Sequence, residues 1–407
     1  MICRHCQSKL TDVFLDLGRA PPSNAYLSES ALSEPEITYP LRVFVCRACR
    51  LVQTEDHAEA GDLFSPQYAY FSSTTKSWLD HAARYARMIS KRFALSAESF
   101  VIEVASNDGY LLRNFLSAGI PCLGIEPTDS TAAAAEALGI PVLRQFFGEA
   151  LGRELAASGR SADLICGNNV YAHVPDINDF TRGLAAALKP QGVVTLEFPH
   201  LLRLIDECQF DTVYHEHFSY LSLAVVERIF AAAGLRPFDV EELPTHGGSL
   251  RVYGCLTAAE HETSSAVAEV LALERRHGLD TDGPYAAFQG RADAVRDGLV
   301  SFLQDAKRTG KTVAGYGAAA KGNTLLNYAG VKQDLLPFVC DAAPSKQGLF
   351  MPGSHIPILP PPALSERRPD FVLILPWNIA AEASAQLVPL AAAGTRFVTA
   401  VPTLRIF

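Results

Sequence analysis

FVIEVASNDGYLLRNFLSAG, residues 100 to 119, decides the fold of this chain. FVIEVAS (100–106) is an apolar run of strand length, GYLLRNFLSAG (109–119) carries apolar residues at helical spacing, and the turn ASNDG joins them. Strand, tight turn and helix form the unit from which parallel sheets flanked by helices are built. The alternation continues outward. A helix is expected over SWLDHAARYARMISKRF (77–93). Strands are expected over PCLGIEPT (121–128), ADLICGNNV (162–170) and GVVTLEFP (192–199), with PVLRQFF and helices around the alanine-rich segment and FTRGLAAAL between them. VVERIFAAAG (225–234) is followed by PFDVEEL and then GSLRVYGCL, with only THGG between these last two. A helix and a closing hairpin predict a seven-stranded Rossmann-like sheet whose last strand is antiparallel.

Ligands of such sheets bind at the carboxyl ends of the strands. The candidates there are Glu103, Ala105, Ser106, Asn107, Asp108, Gly109 and Tyr110 after the first strand, Glu126 and Pro127 after the second, and Asn168 and Asn169 after the fourth. An acid at the end of the second strand can accept both hydrogen bonds of a ribose diol. ASNDG has one glycine and an acid, so it is poorly suited to a pyrophosphate and better suited to a cationic ligand without phosphate. That favours S-adenosylmethionine over a nicotinamide dinucleotide. The alternative is that Asn107 or Asp108 caps the following helix, and capping is compatible with ligand binding.

The 407 residues suit two or three domains, at roughly 100–200 residues each. The expected division is 1–70, 71–300 and 301–407. With 35 basic and 44 acidic residues and a net charge of −9, nucleic-acid binding by phosphate neutralisation is disfavoured. MICRHCQSKL has no apolar run of signal-peptide length, and no stretch approaches the roughly 18 apolar residues of a membrane span. A cytoplasmic protein that binds no membrane is expected.

Five of the nine cysteines are scattered singly, as buried thiols usually are. The other four form two C-x-x-C knuckles, Cys3/Cys6 and Cys46/Cys49. Four thiolates in that arrangement suit a closed structural Zn²⁺ site, with no open position for chemistry. Disulfides or free thiols are the alternative, and His5 is a lesser candidate ligand.

Residues 260–310 read as helical with a break near GLDTDGPY (278–285), a connector. KTVAGYGAAAKGNTLLNYAG (311–330) then opens a second, C-terminal Rossmann-like unit, continued by FVCDAAPSKQG, FVLILPWN and RFVTAVP. GYGAAAKGN lacks the spacing of a Walker A loop and the later glycine of a dinucleotide fingerprint. Its small residues still allow a diphosphate close to the helix start, with Gly317, Ala319, Lys321 and Asn323 as candidates. A tight strand-to-helix packing turn is the alternative.

Taken in order, the cysteine knuckles, EVASNDGYLL, GIEP, NNVYAHV, YHEHFSY (214–220) and HGGSLRVY resemble the sugar C-methyltransferases that act on nucleotide-linked 4-keto-deoxyhexoses. The resemblance spans essentially the whole chain. It implies one structural zinc, S-adenosylmethionine in the middle domain and a dTDP-4-keto-deoxyhexose in a cleft against the third. It also implies that Tyr214, Glu216 and His217 serve deprotonation beside the ketone, with His173, Tyr68 and Tyr70 as further active-site residues. A carbon bonded to hydrogen must lose its proton before it can attack a sulfonium methyl, and imidazole is a base suited to that step. His217 is the expected base, with Glu216 orienting a neighbour, Tyr214 and His173 near the ketone, and His215 facing away by alternation along an extended segment. The expected product is methylated at C3. Methylation at C5 or at an oxygen, or a nicotinamide-dependent oxidoreductase, are the alternatives.

Overall fold

The computed structural model describes residues 1–55, 71–74 and 76–407. The strand expected from FVIEVAS forms as Val101–Val104, buried along its length, at the heart of a seven-stranded sheet. From edge to edge the order is Leu235–Leu243, Ser249–Leu256, Leu188–Pro199, Ala162–Asn168, Val101–Val104, Cys122–Ile125 and Val142–Leu143. All neighbours are parallel except Ser249–Leu256, which is antiparallel to both of its own. The short turn after Leu243 leaves no room for the crossover that a parallel strand needs, so this strand closes the sheet as a hairpin. The carboxyl ends of the parallel strands therefore meet along one rim, where the turns from Ala105, Glu126 and Asn169 emerge.

The N-terminal sheet is antiparallel, formed by Asp12–Ala20, Tyr39–Val45 and Val52–Thr54, and its fourth strand is Ser219–Tyr220, from far along the chain. YHEHFSY is thus not extended throughout. Tyr214 to His217 form a turn, closed by the His217 N–H donating to the Tyr214 carbonyl at 3.0 Å, and only the last two residues are strand. His215 does point away from its neighbours, but the turn is the cause: its Nε2 lies 3.2 Å from the Pro40 carbonyl.

The C-terminal unit has six strands in the order Ile358–Leu359, Val339–Cys340, Val313–Tyr316, Phe371–Ile374, Arg396–Thr399 and Arg405–Ile406, all parallel but the last. The helices before it, Ser265–Arg276 and Gly283–Arg308, are separated where expected: Gly278, at φ +78°, follows the first, and Pro284 sits in the first turn of the second. The long helix is more than a connector. Phe288 stacks on Phe14 with centroids 4.5 Å apart, and one hydrophobic core runs from Val43 through Phe288 and Leu299 to Leu325 and Leu373. The N-terminal and C-terminal sheets are therefore packed on the same helix. Among the described residues no helix is long and apolar enough to cross a membrane.

Candidate active site

At the rim of the middle sheet, where all three units meet, lies a cavity of about 470 Å³. Its first part is lined by Ala105, Asn107, Tyr110, Glu126, Pro127, Asn168 and Asn169. Ala105 and Asn107 both adopt left-handed backbone, at φ +56° and +50°. Such conformations cost non-glycine residues about 1–2 kcal/mol each and persist where the surroundings impose them. Here the Glu126 carboxylate accepts from Asn107 N at 2.9 Å and Thr128 N at 3.0 Å, joining the ends of two strands. Asn107 Oδ1 accepts from Ser72 N, and Asp108 Oδ2 accepts from Ser73 N. These side chains thus hold the segment before helix Lys76–Arg92, whereas the helix after the turn begins at Leu112 without a side-chain cap.

Glu103, Ser106, Asp108 and Gly109 do not line the cavity; they build the turn from beneath. Burial, then the nearby charges of Asp108 and Glu126, pushes the Glu103 carboxyl well above the usual range. A Cβ on Gly109, already at φ +77°, would lie 2.4 Å from Ile140 Cδ1. Asn168 is different. Its buried amide finds no hydrogen-bond partner among the described residues for either Oδ1 or Nδ2, although it borders the cavity. An orphaned donor and acceptor in a cavity also lined by Glu126, Phe146 and Phe147 fits a polar ligand carrying an apolar ring, as S-adenosylmethionine is.

Tyr214, Glu216, His217 and His173 line the same cavity. The His217 ring lies 4.1 Å from that of Tyr214 and 4.6 Å from that of His173. His217 Nδ1 is 3.0 Å from the Thr212 carbonyl and His173 Nδ1 is 2.8 Å from the Glu216 carbonyl. A carbonyl only accepts, so each Nδ1 carries the proton and each Nε2 keeps a lone pair. Burial lowers both imidazoles, His173 to about 4 and His217 well below its ordinary value, so both are neutral. Glu216 moves the opposite way: burial raises it to about 7, opposed by Asn24 Nδ2, which donates to its two oxygens at 3.0 and 2.9 Å. Tyr68 and Tyr70 lie outside the described residues.

Of the four residues read from GYGAAAKGN, Ala319 and Lys321 line the cavity, while Gly317 and Asn323 do not. Gly317, at φ +86°, lies so close to Pro376 that a Cβ would approach it to 2.5 Å, and Asn323 Nδ2 donates to the Ser23 carbonyl at 2.7 Å. Both serve packing.

Cys3 and Cys49 Sγ are 3.5 Å apart, as are Cys6 and Cys46 Sγ, and all four sulfurs lie within 4.8 Å of one another. Zn–S bonds of about 2.3 Å in a tetrahedron separate sulfurs by about 3.8 Å, so the cluster fits zinc. The two knuckles share one backbone pattern. Each first cysteine accepts from the residue four ahead, Gln7 or Arg50, and both of these are left-handed, at φ +61° and +66°. The cysteines are not disulfide-bonded, and His5 turns away, its Nδ1 lying 2.9 Å from Asn178 Oδ1.

The sequence reading missed Asn24, Trp78, His246, Lys346 and Asn378, all of which line the cavity. His246 lay within the quoted HGGSLRVY. Its left-handed backbone, at φ +55°, brings Nε2 to 3.0 Å from Asn169 Nδ2, and its ring packs edge-on against Trp78 at 5.3 Å. Trp78 lies on the helix Lys76–Arg92 of the same unit; Asn24, Lys346 and Asn378 carry no local signal, because they reach the cavity only through the packing of separate units.

Three family models match the chain: a zinc binding domain over residues 3–64, a methyltransferase domain over 78–240 and a C-methyltransferase C-terminal domain over 244–402. The C-methyltransferase NovU of Streptomyces niveus is 35% identical over 407 residues, covering 99% of this chain and 96% of that protein. An uncharacterized methyltransferase of Mycobacterium leprae is 26% identical over 189 residues, 46% of this chain and 58% of its own length. Among solved structures, an S-adenosylmethionine-dependent methyltransferase from Clostridium acetobutylicum superposes with a TM-score of 0.35 at 10% identity, covering 44% of this chain and 92% of that one. Full-length identity at this level and the three matched domains establish that the chain belongs to the C-methyltransferase family, as an S-adenosylmethionine-dependent enzyme with a zinc-binding N-terminal domain.

Proposed function

We propose that this C-methyltransferase acts on a dTDP-linked 4-keto-deoxyhexose and methylates C3, the carbon beside the ketone. The observation that carries this reading is the single cavity, which runs from Glu126 and Asn168 past His217 to Ala319 and Lys346. Ala105, Asn107, Tyr110, Glu126, Pro127, Asn168 and Asn169 hold the donor, with Glu103, Ser106, Asp108 and Gly109 shaping the turn beneath them. S-adenosylmethionine, when bound, supplies an electrophilic methyl on its sulfonium. Ala319 and Lys346 face the nucleotide end of the sugar. The three units, 1–70, 71–300 and 301–407, then contribute the support, the donor site and the nucleotide site.

The chemistry required of the chain is removal of one carbon-bound proton. His217 Nε2 takes it, because Nδ1 is committed to the Thr212 carbonyl and the neutral ring offers its lone pair. The C–H electrons form the enolate, whose carbon takes the methyl. Tyr214 and His173 flank the ketone, where Tyr68 and Tyr70 also act, and a protonated Glu216 can donate a hydrogen bond. Asn24 keeps that carboxyl in place.

Incubation with methyl-labelled donor and a panel of dTDP-4-keto-hexoses, followed by NMR, tests the reading. The new methyl is expected on the carbon adjacent to the ketone, and His217→Asn is expected to lower turnover about 10²–10⁴-fold. A methyl on C5 would relocate the site of deprotonation. A methyl on oxygen would defeat the enolate.

A further inference from the structure

We propose that Lys321 is a catalytic residue of the methyl transfer: its ammonium group contacts and neutralises the oxygen that becomes negative when the ketone turns into its enolate. The inference rests on the enolate reading above and deepens it.

Deprotonation sends the C–H electrons into a new C=C bond and the carbonyl π electrons onto oxygen, with the proton on His217 Nε2. After the carbon has taken the methyl, the ketone re-forms and nothing is oxidised. The oxyanion in between needs a preorganised positive group in a site with little water. Among the described residues the cavity wall offers two cationic side chains, Lys321 and Lys346, and no arginine.

The two lysines have different settings. Lys346 Nζ donates to the Ala318 carbonyl at 2.7 Å and lies over the Tyr26 ring at 5.1 Å, so it belongs to the turn of the C-terminal unit. Lys321 reaches the other way. Its Nζ is 2.6 Å from Asn378 Oδ1 and 4.6 Å from the centre of the Trp377 ring. Trp377 Nε1 donates to Asp211 Oδ2 at 2.7 Å, and Asp211 is the residue before Thr212, whose carbonyl holds His217. On its other side Trp377 packs on Gly247, where a Cβ would come within 2.5 Å of the ring; Gly247 follows His246. The tryptophan thus stands between the turns that bear His217 and His246, and Lys321 rests on it. With one N–H given to Asn378, two remain for substrate.

Burial lowers Lys321 below the ordinary lysine value, and the nearby carboxylate of Asp211 opposes that and favours the cation. Lys321 in turn is among the groups that keep His217 and His246 neutral. The Ala318 N–H of that turn donates to Asp341 Oδ2 at 2.6 Å, so one amide at the helix start is already taken.

Exchange of the α-hydrogen for deuterium tests the proposal. The zinc-loaded enzyme is incubated in D₂O with a dTDP-4-keto-deoxyhexose and S-adenosylhomocysteine, and enolisation is followed by NMR without methyl transfer. The wild-type enzyme is expected to exchange the hydrogen. Lys321→Gln is expected to slow exchange and methylation together by about 10²–10³-fold, with affinity for dTDP changed by less than about threefold. Lys346→Gln is expected to weaken dTDP binding. If Lys321→Gln instead loses dTDP affinity and exchanges normally at saturation, the lysine is a diphosphate ligand and the proposal fails. The variant leaves Asp211 buried without its cation, so Lys321→Gln/Asp211→Asn is measured beside it; the same loss supports the proposal, and recovered exchange overturns it. Exchange that survives Lys321→Gln but not His217→Asn defeats this proposal alone. No exchange in the wild-type enzyme removes the enolate reading as well.

Discussion

Thr54 Oγ1 donates to the backbone carbonyl of His217 at 3.0 Å, so a strand of the cysteine-knuckle sheet holds the residue proposed as the base. The same strand continues the grip: Thr54 N donates to the Phe218 carbonyl, and Arg4 Nη2 donates to the Thr54 carbonyl at 3.0 Å. The Arg4 guanidinium also lies over the Phe218 ring. Thr54→Val keeps the shape and leaves a buried carbonyl without its donor, at a cost of about 1–3 kcal/mol. Turnover is expected to fall with little change in KM, since the base is displaced and the binding surface is not. Steady-state kinetics and a thermal melt check this; unchanged turnover would detach Thr54 from the chemistry.

Metal removal extends the same logic. Gln53 Nε2 donates to Cys3 Sγ at 3.3 Å, and Val52 and Gln53 pair with Tyr220 and Ser219. Chelation, or Cys3→Ser, should release the metal and raise amide hydrogen exchange at residues 52–54 and 217–220 before the middle sheet loosens. Mass spectrometry of exchanged peptides and metal analysis together decide it. Protection retained in the apo form would show that packing alone holds the strand.

Glu216 carries a pH signature. Its folded pKa, about 7, lies above the unfolded carboxyl value, so the folded state binds the extra proton between the two. The group's favourable contribution is complete below the unfolded value and is lost as pH rises through about 7. Glu216→Gln removes that loss and still accepts from Asn24. The melting temperature of the variant relative to wild type is therefore expected to increase from pH 5 to pH 8, by up to a few kcal/mol equivalent. A difference that does not vary with pH would mean that Glu216 is ionised in the fold. The buried histidines act with the opposite sign: held neutral, they favour folding at high pH and penalise it toward pH 4.

Two glycines separate backbone strain from steric contact. Gly247 and Gly159 both have positive φ, +91° and +74°, but a Cβ on Gly247 strikes Trp377 whereas one on Gly159 meets nothing within 4 Å. Gly159→Ala should cost about 1 kcal/mol. Gly247→Ala should cost about 1–3 kcal/mol more and lower turnover, because Trp377 bridges the C-terminal unit to Asp211. Denaturant titration and activity of both variants check it.

Much of the architecture was legible because helices and strands write their periods locally. FVIEVAS, GVVTLEFP and the hairpin around THGG read correctly as elements, and the brevity of the turn at 245–248 already implied the antiparallel closing strand. YHEHFSY misled as an extended segment because hydrogen bonds from Asn24 and Thr54, far off in sequence, and a pairing with residues 52 and 53, shape it as a turn and a short strand. GYGAAAKGN was identified as a strand-to-helix turn, but its direction was not: Asp341 occupies one of its amides, and Trp377 and Asn378 draw Lys321 inward.

By itself the sequence determined the strand and helix succession and the four-sulfur cluster, since periodicity, turn length and cysteine spacing each act over a few residues. Only the tertiary structure decided that the N-terminal sheet takes Ser219–Tyr220 as its fourth strand, that Asn24 meets Glu216 and that Lys321 shares a cavity with His217. Those relations join residues up to 192 positions apart, and no local pattern encodes which buried faces will meet.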